Sequence, residues 1–274
     1  MAIYQHYAPF YDGSGQIRFA ALMGQYLREV LIRHPVADRH ALDLACGTGT
    51  LAFILADDGW EVVGLDRSAP MLAIARERAA GVAAGWVTFI KGDMRDLPAT
   101  DDRRLTTDEL DGWWSVVGGQ WPFDLVTCTY DSLNYLLTEE DLARCFAGVA
   151  GALRPGGLFF ADMNTRHFLE RDWPAVDVLE RSGFVQVAQS HFEPANACST
   201  MVLTGFAGDD ARGYRRFEET HIERAYAPEV VAALLVRAGL SIEAAYDCFT
   251  FQPMHDRSQR IAWVARKPAP SSEC

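Results

Sequence analysis

The chain has 274 residues, of which 49% are hydrophobic and 23% charged, and its formal net charge is -12. This composition is typical of a globular protein with a buried core. The acidity disfavours nucleic acid as a partner, because phosphate contacts require clustered lysine and arginine. No apolar run approaches the ~18 residues that span a membrane, so no membrane partner is expected.

Six cysteines are scattered along the chain without a C-x-x-C pair. Their spacing disfavours a metal site or a disulfide framework and favours free thiols in a reducing compartment. The first residues also lack the charged and apolar regions of a secretory signal. The sequence therefore predicts a cytoplasmic protein without a bound metal, and it leaves open whether the protein is a monomer or a homodimer.

Helix-like and strand-like patterns alternate through the first part of the chain. Apolar spacing predicts a helix over 16–34 that ends before Pro35. Short apolar runs predict five strands, at 41–45, 61–66, 87–93, 123–131 and 158–164. Amphipathic stretches separate most of these strands, and this alternation indicates a mostly parallel sheet covered by helices on both faces.

Two segments interrupt the alternation. Residues 99–121 are polar, contain tryptophans and show no clear period, which fits either a lid or an oligomer contact. Residues 181–226 predict three antiparallel strands, and a helix and a terminal hairpin follow them. The predicted fold is thus a doubly wound, Rossmann-like α/β sheet of seven strands, with a small antiparallel β cap inserted after the fifth strand.

This pattern also predicts how the chain divides. The core comprises 1–165 and 226–267, with a helical lid at 1–35. The inserted β subdomain covers 166–225, and 268–274 form a loose tail rich in proline and serine.

A glycine turn follows the first predicted strand. Gly47 and Gly49 allow the backbone to approach a ligand closely, and Asp66 at the end of the next strand can accept hydrogen bonds from ribose hydroxyls. The spacing also fits a dinucleotide loop. However, Asp43 precedes the turn, and a carboxylate there is unfavourable beside a pyrophosphate but favourable beside a sulfonium or an amino group.

The segment "LDLACGTGTLAFILADDGWEVVGLDRSAPML" resembles motif I and the next strand of class I S-adenosylmethionine-dependent methyltransferases. Further segments resemble later parts of the same family: "IKGDMRDLP", "FDLVTCTYDSLNYL" and "ALRPGGLFFADMN". The opening "YQHYAPFYDG" is similar to the N-terminus of its small-molecule members, where that segment folds over the cofactor. The resemblance implies methyl transfer from S-adenosylmethionine.

The resemblance also implies where the methionine part of the cofactor lies. Asp43 and Gly47 would contact it, and Gly49 would shape the turn. Thr129 or Tyr130 would lie beneath the sulfonium, and Tyr11 belongs to the N-terminal segment that covers the cofactor.

The nucleoside part has its own implied contacts. Asp66 would bind the ribose, and Arg67 would flank the adenine, although the family more often has an apolar residue there. Asp93 would bind the adenine amino group, and Met94 would lie against the ring.

Candidate catalytic residues come from the loop after the fourth strand, because open α/β sheets bind ligands at the carboxyl ends of their strands. Tyr130, Asp131 and Asn134 are candidates for substrate contact, the alternative for Asn134 being a helix cap. His221 is a candidate base. It shares one strand face with Phe217, Glu219, Glu223 and Ala225, a mixed face that fits either a pocket or a dimer surface.

The leading hypothesis is methyl transfer to nitrogen or oxygen of a small-molecule substrate. A non-catalytic, regulatory S-adenosylmethionine-binding protein is one alternative. An NAD(P)-dependent oxidoreductase is another, favoured only by the glycine spacing and Asp66. The Asn-Pro-Pro-Tyr tetrapeptide of DNA N-methyltransferases is absent, and "TYDS" stands in its place.

Overall fold

A computed structural model describes residues 3–81, 86–97, 123–209 and 211–269. The predictions for 99–121, including the choice between lid and oligomer contact, lie outside the described residues. So does most of the predicted tail. Among the described residues, no helix is long and apolar enough to cross a membrane.

The strands form a seven-stranded sheet and a separate four-stranded sheet. They are β1 (His40–Leu44), β2 (Glu61–Asp66), β3 (Val87–Lys91), β4 (Phe123–Cys128), β5 (Leu153–Asn164), β6 (Val176–Arg181), β7 (Phe184–Glu193), β8 (Cys198–Asp209), β9 (Gly213–Arg224), β10 (Ser241–Asp247) and β11 (Arg260–Arg266). The large sheet has the order β10-β11-β5-β4-β1-β2-β3. Strands β1 to β5 pair in parallel, whereas β11 is antiparallel to both β5 and β10. This arrangement confirms the predicted fold class and the terminal hairpin.

The helices are α1 (Ala8–Tyr11), α2 (Ile17–Arg33), α3 (Thr50–Asp57), α4 (Ala69–Ala79), α5 (Glu139–Ala152) and α6 (Pro228–Arg237). A π-helical turn, Asp12–Gln16, joins α1 to α2. Two side-chain caps begin helices that follow strands. The Ser68 hydroxyl accepts the Met71 N–H of α4, and the Thr138 hydroxyl accepts the Asp141 N–H of α5.

The core occupies both faces of the large sheet. Alternate residues of β1 illustrate this, because Leu42 and Leu44 belong to one hydrophobic cluster and Ala41 to the other. All three side chains are fully buried. Burial on both faces is what a parallel sheet covered by helices requires, and it explains the nearly continuous apolar runs of these strands.

The small sheet, β6-β7-β8-β9, is antiparallel and follows β5 in the chain; we call it the cap. It has one strand more than the three that the sequence predicts. The additional strand is β6, an edge strand whose Val176 and Val178 are 58% and 62% exposed. Because these two valines face solvent and only Leu179 is partly buried, the strand carries no clear signal of a buried face. The domain boundaries predicted from the sequence stay a prediction.

Candidate active site

A crevice opens at the carboxyl ends of β1, β2 and β4, and its volume is about 1040 Å³ when the space open to solvent is included. We call it the cofactor crevice. Its lining includes eight of the nine residues that the sequence predicts to contact a cofactor: Tyr11, Asp43, Gly47, Asp66, Arg67, Asp93, Met94 and Thr129. The ninth, Gly49, belongs to the glycine turn and is the N-cap residue of α3.

The glycine turn requires its glycines for different reasons. Gly47 and Gly49 have φ angles of 56° and 81°, in the left-handed region. At Gly49 a Cβ atom would also lie 2.5 Å from the ring of Phe89. The Gly47 N–H donates to Oδ2 of Asp66 at 2.9 Å, which joins the turn to the end of β2.

Asp66 is held rigidly at the edge of the crevice. Its second oxygen accepts the N–H of Ser68 at 2.7 Å, and the side chain is 8% exposed. Burial raises the pKa of Asp66, although the two backbone hydrogen bonds oppose this change. The carboxylate keeps lone pairs that can accept the hydroxyl groups of a bound nucleoside.

Asp43 contributes a buried acceptor to the crevice. Its Oδ1 accepts the hydroxyl of Thr127 at 2.7 Å, but Oδ2 has no partner among the described residues. Burial, opposed by the hydrogen bond from Thr127 and assisted by the nearby Asp66, raises the pKa of Asp43 to about 7. An unpaired buried carboxylate oxygen fits a cationic donor such as the amino group of a bound amino acid.

Asp93 lies where the crevice reaches the end of β3. Its Oδ2 pairs with Nη2 of Arg95 at 2.7 Å, and Arg95 also reaches Asp141 at 3.3 Å. Burial alone would raise the pKa of Asp93, but the hydrogen bonds from Arg95 outweigh it and lower the pKa. The carboxylate is therefore charged at neutral pH and can accept a hydrogen bond from an amino group.

Residues 3–16, which we call the N-terminal strap, cross the crevice. At one end, Thr48 of the glycine turn donates its hydroxyl to Oδ1 of Asp12 at 2.7 Å. Arg78 of α4 pairs with the other oxygen of Asp12 at 3.2 Å and donates to the carbonyl of Thr48 at 2.9 Å. The strap is thus tied to the turn that it covers.

The cap holds the other end of the strap. The Glu219 carboxylate on β9 accepts the backbone N–H groups of Tyr4 at 2.8 Å, His6 at 2.6 Å and Tyr7 at 3.1 Å. Burial alone would raise the pKa of Glu219, but His221 and these three N–H groups lower it to about 2. Glu219 is therefore an anionic anchor for the strap.

A second cavity of about 930 Å³ lies between the cap and the large sheet. We call it the cap cavity. It shares part of its wall with the cofactor crevice, and the shared residues are Tyr4, Tyr11, Gln16, Tyr130 and Tyr135. A molecule in either space can therefore contact the same aromatic wall.

We compared the chain with known proteins and protein families. Residues 42–159 match a family model described as a methyltransferase domain. The chain is 28% identical to the putative methyltransferase YqeM of Bacillus subtilis over 97% of each protein. It is also 28% identical to the dTDP-3-amino-3,4,6-trideoxy-alpha-D-glucopyranose N,N-dimethyltransferase of Streptomyces venezuelae, over 86% of this chain and 89% of that one.

A solved structure shows the same fold along nearly the whole chain. It is an S-adenosylmethionine-dependent methyltransferase from Clostridium acetobutylicum, with a TM-score of 0.77 and 25% identity, covering 98% of this chain and 100% of the other. The protein is a class I S-adenosylmethionine-dependent methyltransferase. The resemblance predicted from the glycine turn is confirmed, and neither a nicotinamide oxidoreductase nor a non-catalytic binding protein is supported.

In the methyltransferase, strand β4 is shorter than predicted, and the loop after it begins earlier. The predicted strand 123–131 ends at Cys128, because Tyr130 and Asp131 have φ angles of 62° and 51°. The buried carboxylate of Asp162 holds this left-handed pair, accepting the N–H of Tyr130 at 2.6 Å and that of Asp131 at 3.2 Å. The loop therefore directs Tyr130 to both cavities and Asp131 to the cap cavity.

His221 lies in the wall of the cap cavity and is 3% exposed. Its Nδ1 is 3.2 Å from the hydroxyl of Tyr135, and its Nε2 is 3.6 Å from the Glu219 carboxylate. The mixed strand face that contains Glu219, His221 and Glu223 is therefore directed toward the cap cavity and the strap. Of the two predicted alternatives, a pocket or a dimer surface, this position corresponds to the pocket.

Asn134, a predicted candidate for substrate contact, does not belong to the wall of either cavity. It is fully buried outside both cavities, and its amide nitrogen donates to the carbonyls of Asn164 at 3.0 Å and Arg224 at 2.9 Å. Its oxygen accepts the N–H of Asn164 at 2.9 Å. The side chain joins the loop to β5 and β9.

Several residues at the site escaped the sequence interpretation: Thr48, Arg78, Asp162, Gln186, Glu219, Glu223 and Arg260. Only Glu219 and Glu223 carried a signal, since they alternate with His221 on one strand face. Arg260 pairs with Asp131 at 2.8 Å and with Asp162, across a long sequence separation that no local pattern reveals.

Proposed function

We propose that the methyltransferase transfers a methyl group from S-adenosylmethionine to nitrogen or oxygen of a small molecule bound in the cap cavity. The observation that carries this proposal is the aromatic wall shared by the two cavities. Because Tyr4, Tyr130 and Tyr135 line both spaces, the acceptor atom can reach the cofactor at this border while the rings exclude water.

The residues of the cofactor crevice fit S-adenosylmethionine. Asp43 would pair with the amino group of its methionine part beside Gly47, and Asp66 would accept the ribose hydroxyls. Asp93, Met94 and Arg67 would surround the adenine, and Tyr11 and Thr129 would face the sulfonium side. When bound, the cofactor would supply an electrophilic methyl group: a lone pair of the acceptor would attack the methyl carbon in line, and the C–S bond would break to leave S-adenosylhomocysteine.

We propose that His221, through Tyr135, removes the proton that the acceptor group loses during methyl transfer. Burial strongly raises the pKa of Tyr135, so its phenol stays protonated. The hydroxyl can donate to Nδ1 of His221 while it accepts a hydrogen bond from the methyl acceptor, which would connect the acceptor to the imidazole. The Glu219 carboxylate, 3.6 Å from Nε2 of His221, would hold the imidazole in position. Tyr130 would line the reaction site, and Asp131 would face the substrate.

A relative supports a small-molecule substrate. The Streptomyces venezuelae enzyme is, by name, an N,N-dimethyltransferase of a nucleotide-linked amino sugar. Its similarity extends through the cap, since 86% of this chain is covered. This similarity favours nitrogen as the acceptor over oxygen.

The experiment is transfer of labelled methyl from S-adenosylmethionine to a panel of amino sugars, amino alcohols and diamines, with matched compounds that lack the amine. We expect a labelled product from the native enzyme and roughly a 100-fold loss of kcat in His221→Asn, with cofactor affinity unchanged. His191→Asn, at an exposed histidine of the cap, is the matched control. The proposal fails if no small molecule is labelled, or if both variants behave alike.

A further inference from the structure

The cap cavity presents an excess of hydrogen-bond acceptors. The amide oxygens of Asn164 and Gln186 both belong to residues in its wall, and neither oxygen has a partner among the described residues. The two residues are only 3% and 6% exposed. Buried acceptors are normally satisfied, so these two oxygens point to a ligand that brings donors.

The charges of the same wall are also unbalanced. The guanidinium of Arg260 serves two carboxylates, those of Asp131 and Asp162. Glu223, 3% exposed, is a third acid and accepts Nδ2 of Asn164 at 2.8 Å. Burial first, and then repulsion from Asp131, raise the pKa of Glu223. A cationic ligand would oppose both effects, because its charge favours the ionised carboxylates.

Much of the remaining wall is aromatic. Tyr4, Tyr7, Tyr11, Tyr135 and Trp173 line the cavity together with the acceptors. Aromatic faces attract organic cations, and the attraction is stronger in a site shielded from water. Acids, unpaired amide oxygens and aromatic rings thus favour the same kind of ligand.

We infer that the cap cavity binds an ammonium group of the substrate through the oxygens of Glu223, Asp131, Asn164 and Gln186. An ammonium group has several N–H donors and no acceptor, which matches a wall of this composition. This inference rests on the proposed function, in which the cap cavity holds the methyl acceptor.

The bound ammonium is a recognition group and not the methyl acceptor. A protonated amine has no lone pair with which to attack a methyl group. In addition, the four residues that supply the oxygens line the cap cavity and do not belong to the wall of the cofactor crevice. The substrate class is therefore a small molecule with one ammonium group and a separate nitrogen or oxygen that reaches the tyrosine border.

The test compares 2-phenylethylamine, which is cationic at neutral pH, with the neutral 2-phenylethanol of similar shape. Binding of each is measured by calorimetry to the full chain saturated with S-adenosylhomocysteine. We expect the amine to bind at least about tenfold more tightly than the alcohol, as charged hydrogen bonds imply. Glu223→Gln should abolish this preference, because its amide can still accept Asn164 but has no charge.

Glu218→Gln is the matched control, since Glu218 is an exposed neighbour on β9 that pairs with Arg216. This variant should keep the full preference. A second variant, Gln186→Leu, removes an unpaired oxygen without changing charge and should weaken amine binding several-fold. If thermal unfolding shows that Glu223→Gln is not folded, the binding of the two probes is compared in Gln186→Leu instead.

Equal binding of the two probes, or an unchanged preference in both Glu223→Gln and Gln186→Leu, would overturn the inference. Failure of the proposed function gives a different result. In that case the preference for the amine persists, but no compound of the methyl-transfer panel is labelled.

Discussion

The cofactor crevice and the cap cavity adjoin each other but are built in different ways. The crevice takes most of its polar residues from the ends of consecutive parallel strands, between Asp43 and Asp93. The cap cavity takes its residues from the N-terminal strap, the loop after β4, the end of β5 with the segment that follows it, the cap, and β11. One is encoded by a local motif, whereas the other exists only after distant segments have met.

This difference separates two kinds of constraint. In the crevice, backbone geometry at the glycine turn fixes where a ligand can lie. In the cap cavity, a few anchoring carboxylates, Glu219 and Asp162, fix segments that are distant in sequence. Substitutions should therefore affect stability and cofactor binding in the first region, and closure of the site in the second.

The largest effect is expected at the glycine turn. Gly49→Ala should lower the free energy of unfolding by about 3 kcal/mol. The alanine would be strained by its left-handed backbone conformation, and its Cβ atom would clash with Phe89. Gly156→Ala is the control, since Gly156 has a φ of 84° but open space around it, and should cost only about 1 kcal/mol. Urea denaturation measures both values. Equal losses would show that the packing against Phe89 is unimportant.

The next effect concerns cofactor affinity. Asp66→Asn should raise the dissociation constant of S-adenosylmethionine by about tenfold, since a charged acceptor of the ribose hydroxyls is lost. Asp57→Asn, at an exposed acid that ends α3, should leave it unchanged. Calorimetry with the intact enzyme provides the comparison. Unchanged affinity in Asp66→Asn would place the ribose elsewhere.

A smaller effect is expected where the cap anchors the strap. The pKa of Glu219 is lowered in the folded protein to about 2, against an ordinary value of 4.5. Its contribution to stability is therefore complete above pH 4.5 and is lost as the pH falls from about 4.5 toward 2. Glu219→Gln should remove this part of the acid dependence, as measured by unfolding at a series of pH values. An unaltered acid profile would contradict the anchoring role.

The smallest effect is expected at the other end of the strap. The ion pair between Arg78 and Asp12 is about 30% exposed on each side, with side-chain values of 31% and 29%, so it should contribute less than about 1 kcal/mol. Arg78→Gln should weaken cofactor binding about twofold, and the exposed Glu77→Gln on the same helix should not. A tenfold loss in Arg78→Gln would mean that the strap depends mainly on this end.

The sequence predicted the crevice far better than the cap cavity, for a physical reason. Gly47, Asp66 and Asp93 follow strands whose apolar patterns are strong, so their placement at one edge of a parallel sheet could be inferred. Asn134 has the same local context as Asp131, and only tertiary contacts decide that Asn134 joins strands while Asp131 faces the cavity.

The cap shows the same limit. Strands β7, β8 and β9 were predicted from the sequence, but the exposed edge strand β6 was not. The anchoring of the strap by Glu219 spans more than two hundred residues, and no periodicity in the sequence records such a contact.

The four tyrosines at the border, Tyr4, Tyr11, Tyr130 and Tyr135, give the two chambers a common partition. An occupant that reorients these rings on one side alters the surface available on the other. Thermodynamic linkage then makes the influence mutual: by whatever factor a bound acceptor tightens retention of the methyl donor, the donor tightens retention of the acceptor.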